Sequence, residues 1–249
     1  MSDAIALNAY DESPSEVIFV PGWGLGTNLW TLVQAALVQR MPGLTCMTME
    51  LGNTTPLLPV KGRHRLVVGH STGFLWLLQQ RPFSWDSLVA VNGFTRFVAG
   101  TDFPQGVKAH VLQQMLYRFE YNPTAVVTAF LRRCGVQERK TIDSQWLCLL
   151  QQGLMWLRDW DARSAFSAEQ APLLVLAGGV DPIVPPAMTK ACFRERNDLE
   201  TIWQPVGGHL LPLSHPEWLA MHIQKFIYRL YDGGNIHKSD SLTASEGTH

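Results

Sequence analysis

The stretch RLVVGHSTGFLWLLQQ, residues 65–80, places Ser71 between two glycines directly after a short apolar run. The apolar residues before Ser71 predict a buried strand, and FLWLLQQ after it predicts a helix. GHSTG therefore fits the G-x-S-x-G pattern, in which a sharp strand-to-helix turn lifts a serine above the sheet. Glycines are needed there because a Cβ would clash where backbones come close. The alternative is that Ser71 only caps the helix.

The same alternation of strand and helix extends along the chain. The strand candidates are EVIFVPGWG, LTCMTMEL, RLVVGHS, SLVAVNGF, PLLVLAGGVD and ETIWQPVGGH, with helical patterns between most of them. This order predicts an α/β fold with a mainly parallel sheet covered by helices on both faces. Residues 102–168 carry only helical patterns, which predicts a helical lid inserted into a core of residues 1–101 and 169–231. The polar residues 232–249 are expected to form a disordered tail.

Composition narrows the function classes. The 249 residues carry a formal net charge of −1, so nothing indicates bulk attraction to nucleic acid or to an anionic membrane. No apolar run is long enough for a transmembrane helix, and the N-terminus does not resemble a signal peptide. The four cysteines are scattered without metal-ligand spacing, which predicts buried free thiols in a reducing cytoplasm. We expect a cytoplasmic monomer without metal or organic cofactor.

A serine hydroxyl needs a base before it becomes a good nucleophile. Asp181 lies in a loop at the carboxyl end of a predicted strand, where open α/β sheets carry their sites. Its alternative role is an Asx-turn before the following proline. His209 follows two glycines after the last predicted strand. His215 is a rival base, but Ser214 and Glu217 around it resemble a helix-capping box, so we favour His209.

A developing oxyanion needs two hydrogen-bond donors. One candidate is the amide of Thr72, the residue after the serine, at the start of the predicted helix. The other is the amide of Trp23 in the loop after the first strand, where Gly22 and Gly24 allow close approach. The alternative for that loop is a tight Pro-Gly turn with a core tryptophan.

Together these segments resemble the α/β-hydrolase superfamily over roughly residues 16–230. VPGWGLGTNLW, GHSTG, AVNGF and GGHLLPLSHPEW are similar to segments of bacterial pimeloyl-acyl-carrier-protein methyl ester esterases of biotin synthesis. The resemblance implies Ser71 as nucleophile, Asp181 as acid and His209 as base, with Trp23 and Thr72 forming the oxyanion hole. Two departures stand out. Pro21 replaces the usual histidine of the first loop, and residues 52–64 leave little room for a connecting helix.

These features predict a serine carboxylic ester hydrolase that forms an acyl-enzyme and acts on a small acyl ester. The resemblance implies pimeloyl-acyl-carrier-protein methyl ester as substrate. Two alternatives remain open. One is another reaction of the same triad, such as acyl transfer or thioester, lactone or C–C hydrolysis, and the other is a binding protein that has lost turnover.

Apolar residues of the lid and the neighbouring loops are candidates for lining an acyl channel above Ser71, and the alternative for the lid residues is that they form the core of the lid. They are Trp23, Leu25, Phe94, Met115, Trp146 and Leu150. Cations cluster on the lid and are candidates for contact with an acidic carrier protein, or are simply the solvated faces of helices. They are Arg118, Arg132, Arg133, Arg139, Lys140 and Arg158.

Overall fold

The computed structural model describes residues 15–58, 64–137, 142–196 and 198–239. Six strands form one sheet: β1 (Ser15–Val20), β2 (Thr45–Thr48), β3 (His64–His70), β4 (Ser87–Val91), β5 (Leu173–Gly178) and β6 (Glu200–Gln204). Their order is β2-β1-β3-β4-β5-β6, and every neighbouring pair is parallel. Each predicted strand is therefore present, and the predicted mainly parallel sheet is confirmed.

Nine α-helices and a 3₁₀ turn occur in the described residues. They are the 3₁₀ turn Thr27–Trp30, α1 (Thr31–Arg40), α2 (Thr72–Gln80), α3 (Ala109–Tyr121), α4 (Pro123–Arg133), α5 (Ser144–Asp159), α6 (Arg163–Ala168), α7 (Pro186–Phe193), α8 (Leu211–Ser214) and α9 (Pro216–Ser239). The short helices α6, α7 and α8 were not predicted, because four to eight residues give too little periodicity to recognise. None of these helices is both long and apolar enough to cross a membrane.

Two apolar cores lie on opposite faces of the sheet, because side chains alternate along each strand. On β3, Leu66 and Val68 face a core completed by α1 and α9, whereas Val67 faces a core that contains residues of α2 and α7. The central strands β3, β4 and β5 are almost entirely buried, which explains their continuous apolar sequences.

Helices α3 to α6 all lie between β4 and β5 and are called the helical insertion below. The insertion packs on the same core as α2 and α7, through residues such as Leu112, Val127, Leu154 and Phe166. It therefore lies over one face of the sheet.

The end of α9 differs from the sequence expectation, whereas the short connection between β2 and β3 agrees with it. Helix α9 continues to Ser239, eight residues into the segment 232–249 expected to be a tail, because glycines lower helix propensity without abolishing it. Residues 240–249 lie outside the described residues. Between β2 and β3, residues 51–58 contain no helix, and residues 59–63 are also outside the described residues.

Candidate active site

Ser71 occupies the tight turn between β3 and α2. Its backbone has φ 52° and ψ −122°, a conformation that residues with a side chain rarely adopt. A Cβ on Gly69 would lie 2.7 Å from Phe74 Cα, and one on Gly73 would lie 2.5 Å from the Pro21 carbonyl oxygen. Both glycines are therefore required sterically, as the motif predicted. Ser71 precedes α2 but makes no side-chain cap bond, so the capping alternative does not describe it.

The last two strands bring a histidine and an aspartate to the serine. The Ser71 hydroxyl lies 3.1 Å from His209 Nε2, and His209 Nδ1 lies 2.8 Å from Asp181 Oδ2. The carboxylate accepts from Nδ1–H, so Nε2 is left to accept the hydroxyl proton. All three side chains are buried, and His209 is fully buried. The arrangement has the connectivity needed for general-base activation of a serine.

Asp181 is held by its own loop. Its Oδ1 accepts hydrogen bonds from the backbone N–H groups of Ile183 (2.7 Å) and Val184 (2.9 Å). The Asx-type turn considered for Asp181 therefore forms, and the other carboxylate oxygen still bonds His209. One side chain fixes its loop and orients the imidazole.

His215 does not reach the serine. Its Nδ1 bonds the hydroxyl of Ser214 at 2.8 Å, and Ser214 donates to the carbonyl of Leu210 at 3.1 Å. The predicted capping box with Glu217 is wrong, because Ser214 ends α8 and α9 begins only at Pro216. The proline takes the first helical position, which its fixed φ favours.

The two predicted oxyanion donors flank Ser71. Thr72 is the first residue of α2, so its N–H has no partner within the helix. A Cβ on Gly22 would lie 3.0 Å from Ser71 Cβ, which shows how closely the Trp23 loop passes the serine. Leu25 N–H closes that loop by donating to the Gly22 carbonyl at 3.3 Å. The Trp23 indole donates to the Leu150 carbonyl of α5 at 2.7 Å.

Two further residues belong to this site that the sequence did not single out for it. The Asn92 side-chain amide donates to the carbonyls of Gly208 (3.0 Å) and His209 (2.8 Å). His70 Nε2 lies 2.9 Å from the same His209 carbonyl. Asn92 follows β4, and the parallel sheet brings the ends of β3, β4, β5 and β6 together. That convergence was a usable signal for Asn92.

A cavity of about 820 Å³ lies within the helical insertion and against the Asp181 loop. Its wall includes Trp23, Met115, Phe130 and Ile183 and is mainly apolar. A separate cavity of about 180 Å³ is lined by Trp23, Leu25, Trp146 and Leu150 among others. Only the larger one has the usual volume of a small-molecule site. Trp23 and Phe130 pack edge to face at 5.1 Å, and Phe130 also contacts His209 at 6.2 Å between ring centroids.

Phe94 is placed differently from the prediction. It is fully buried, packs on Phe97 at 5.0 Å between ring centroids and lines neither cavity. It follows β4 after Asn92 and Gly93, where the chain still lies inside the core.

The cations predicted to contact a carrier protein differ in their positions relative to the larger cavity. Arg118 and Arg133 are exposed and lie on the wall of the larger cavity, and Arg133 donates to the Pro182 carbonyl at 3.1 Å. Arg132 is exposed but not on that wall. The prediction is weakened for Arg158, whose guanidinium is neutralised by two hydrogen bonds to Asp159. Arg139 and Lys140 lie outside the described residues.

The four cysteines are free thiols, but the prediction that they are buried is wrong for Cys148, which is exposed, and only Cys192 is fully in the core. Burial raises the pKa of Cys134 to about 12 and that of Cys46 to about 11, so both stay protonated near neutral pH. Within the described residues, no group of three or more His, Cys, Asp or Glu side chains is placed to hold a metal.

The fold and the site define a class of protein. The chain superposes on an esterase of Exiguobacterium antarcticum with a TM-score of 0.67 at 13% identity, covering 87% of this chain and 93% of that one. It superposes on a thermophilic esterase of Thermogutta terrifontis with a TM-score of 0.64 at 15% identity, covering 87% and 90%. A bromoperoxidase of Bacillus anthracis gives 0.65 at 14% identity, covering 87% and 92%. The chain is an α/β-hydrolase in fold.

Sequence comparison points to one kind of esterase within that class. The chain is 26% identical to a pimeloyl-[acyl-carrier protein] methyl ester esterase of Aromatoleum aromaticum, covering 85% of this chain and 98% of the relative. A protein of the same name from Sodalis glossinidius is 27% identical, covering 81% and 89%. No family model matches the chain. The predicted resemblance to these esterases is confirmed.

Proposed function

We propose that this protein is a serine carboxylic ester hydrolase with Ser71 as nucleophile, His209 as base and Asp181 as the acid that orients the base. The observation that carries the proposal is the continuous hydrogen-bond chain from Ser71 Oγ through His209 to Asp181, with contacts of 3.1 and 2.8 Å. The positive φ of Ser71 and the glycines around it present the hydroxyl as a nucleophile elbow does.

The proposed reaction has two halves. Ser71 Oγ attacks the ester carbonyl while His209 Nε2 takes its proton, and the Thr72 and Trp23 amides stabilise the oxyanion. His209 then gives that proton to the departing alkoxide, which leaves as an alcohol. Water attacks the acyl-enzyme with His209 again as base, and the acid product leaves with Ser71 restored. Asp181 stabilises the imidazolium in both halves.

The proposed substrate is pimeloyl-acyl-carrier-protein methyl ester, whose hydrolysis would serve biotin synthesis. The names of the curated relatives support this substrate, as does the cavity of about 820 Å³ with its mainly apolar wall. Met115 on α3 lies on that wall and is our candidate for contact with the acyl chain. The helical insertion acts as the lid of this cavity, since it provides most of the cavity wall.

The proposed partner is the acyl carrier protein that presents the chain. Carrier proteins offer an acidic surface, which exposed guanidinium groups attract. Arg118 and Arg133 are exposed on the cavity wall, and Arg132 is exposed at the end of α4. Their charge lies on the wall of the cavity that we propose holds the acyl chain, or next to that wall on α4.

Mass spectrometry of the carrier-bound methyl ester tests the proposal. Incubation with the protein is expected to convert the methyl ester to the free acid, which lowers the mass of the acyl group by that of one CH2, while the acyl chain stays attached to its carrier. Ser71→Ala is the matched control and should leave the substrate intact. Release of the whole acyl chain from the carrier would make the protein a thioesterase. An unchanged substrate, with Ser71 still labelled by a fluorophosphonate, would make it a hydrolase of another substrate.

A further inference from the structure

The main-chain carbonyl of His209 accepts two side-chain hydrogen bonds from different strand ends. Asn92 Nδ2 donates at 2.8 Å from the end of β4, and His70 Nε2 donates at 2.9 Å from the end of β3. His70, Asn92 and His209 are all buried with at most 1% of their surface exposed. A carbonyl oxygen has two lone pairs, so this acceptor is fully used.

His70 acts here as a neutral donor. Burial, and secondly the neighbouring His209, lowers the pKa of His70 to about 3, so the ring carries one proton near neutral pH. That proton belongs on Nε2, because the carbonyl facing it can only accept. His70 Nδ1 is left without a hydrogen-bond partner among the described residues, which agrees with its being the unprotonated nitrogen.

The two donors fix the histidine relative to the serine. His70 and Ser71 are adjacent, and each contacts a different end of His209: Ser71 Oγ meets the imidazole at 3.1 Å, and His70 meets the carbonyl at 2.9 Å. The rings of His70 and His209 lie 4.8 Å apart between centroids. The loop that carries the base is thereby tied to the residue before the nucleophile.

Asn92 ties the same loop to the other strands. Its Oδ1 accepts from Gly178 N–H at the end of β5 at 2.8 Å, while its amide nitrogen bonds the Gly208 and His209 carbonyls. Its φ of 46° lies in the left-handed region, which asparagine tolerates better than most residues. The conformation and the three bonds together explain why an asparagine occupies this position.

We propose that His70 and Asn92 are positioning residues for the general base, and we call the two bonds to the His209 carbonyl the carbonyl clamp. The inference rests on the proposed function, because positioning has meaning only if His209 acts as a base. The clamp holds the imidazole at hydrogen-bond distance from Ser71 without touching the substrate. A shift of about 1 Å in a reacting group costs roughly 100-fold in rate, so loss of a clamp bond should lower kcat.

A matched pair of variants at His70 tests the clamp. Gln places an amide nitrogen close to the position of His Nε2, whereas Met has similar length and no donor. With p-nitrophenyl acetate, His70→Met is expected to lower kcat by about 10- to 100-fold with KM within about 2-fold of wild type. His70→Gln should recover most of that loss. Thermal unfolding of both variants separates this effect from instability, which should be similar in the two. Equal kcat losses in Gln and Met, or an undiminished kcat in Met, would overturn the proposal.

Asn92→Asp provides a second test should the His70 variants fold poorly. Aspartate keeps the acceptor for Gly178 N–H and tolerates the left-handed backbone, but it sets a carboxylate oxygen against two carbonyls. A kcat at least 10-fold lower is expected, and a folded variant with wild-type kcat would overturn the clamp.

Fluorophosphonate labelling of wild type separates the proposal of a serine hydrolase from the proposal of the carbonyl clamp. An unlabelled wild type overturns the hydrolase proposal and the clamp with it, whereas labelling at equal rates in wild type and His70→Met overturns the clamp alone.

Discussion

Ser71 is held in a backbone conformation that costs free energy, and its neighbours maintain it. Conformations of this kind cost about 1–3 kcal/mol and persist only where the surroundings enforce them. The Ser71 N–H donates to the Val91 carbonyl at 3.1 Å, and the Ser71 carbonyl accepts from Phe74 N–H at 3.0 Å. These bonds and the close contacts of Gly69 and Gly73 fix the hydroxyl before any substrate arrives.

Removal of single triad members should identify the base. Ser71→Ala and His209→Ala are each expected to lower kcat for ester hydrolysis by about three or more orders of magnitude, because triad residues act as a unit. His215→Ala serves as the matched histidine control and should stay within about 3-fold of wild type, since its ring contacts Ser214 and not Ser71. Steady-state kinetics with circular dichroism to check folding measures this. A larger loss in His215→Ala than in His209→Ala would refute the assignment.

His70 should make stability depend on pH. Its folded pKa is lowered from 6.5 to about 3, so below about pH 6.5 the unfolded chain takes up a proton that the folded protein does not. The contribution of the buried, neutral His70 ring to the free energy of unfolding is therefore complete above pH 6.5 and is lost as the pH falls towards 3. Between pH 7 and pH 5 wild type is expected to lose about 2 kcal/mol of unfolding free energy more than His70→Gln. Urea titrations at both pH values test this, and parallel losses in the two proteins would contradict it.

At the scale of elements, the Trp23 side chain joins α5 to the loop after β1. The Trp23 indole bonds the Leu150 carbonyl, and a Cβ on Gly153 would lie 2.5 Å from Trp23 Cδ1. The same Trp23 is the candidate oxyanion donor through its backbone. The position of the helical insertion is thus linked mechanically to the loop beside the nucleophile.

Gly153→Ala should therefore impair catalysis from a distance. The added methyl group has to displace Trp23, with an expected cost of about 1–3 kcal/mol in stability. The displaced oxyanion loop should also lower kcat on p-nitrophenyl acetate by about 10-fold. Gln152→Ala, an exposed neighbour on the same helix, is the control and should change neither quantity appreciably. A Gly153→Ala protein that loses stability but keeps full kcat would show that Trp23 does not transmit the shift.

At the scale of the whole molecule, the overall charge says little about partners, whereas its distribution does. A formal net charge of −1 gives no bulk attraction to an acidic protein. Exposed Arg118 and Arg133 on the cavity wall, with Arg132 nearby on α4, give a local positive region on the helical insertion. Arg158 lies on the same insertion but is paired with Asp159.

Charge reversal on the insertion should distinguish the two kinds of substrate. The double variant Arg118→Glu with Arg132→Glu leaves Arg133 in place, because Arg133 bonds the loop beside Asp181. It is expected to lower kcat/KM for the carrier-bound ester by about 10-fold, mainly through slower association, and to leave p-nitrophenyl acetate almost unaffected. Added salt should weaken wild type in the same selective way. Arg158→Glu is the control with a smaller expected effect, and equal losses on both substrates would argue against carrier docking.

The sequence by itself determined the order of strands and helices, the elbow around Ser71 and the loops that carry Asp181 and His209. These features depend on local periodicity and on glycines next to a strand end, so neighbouring residues specify them. The sequence favours His209 over His215 through a capping box that does not form in the structure. The structure decides it through the contacts, because His209 Nε2 lies 3.1 Å from Ser71 Oγ whereas His215 Nδ1 bonds Ser214.

Only the tertiary structure decided the carbonyl clamp, the two cavities, the burial of Phe94 and the pairing of Arg158. Asn92 and His70 meet His209 across 117 and 139 positions of sequence. The position of Asn92 at a strand end could have marked it as a site residue, but no local pattern encodes these contacts with His209, because they depend on the parallel packing of β3, β4 and β6. Burial of Phe94 and pairing of Arg158 likewise follow from neighbours in space, since an apolar or charged side chain has the same local sequence signature in either setting.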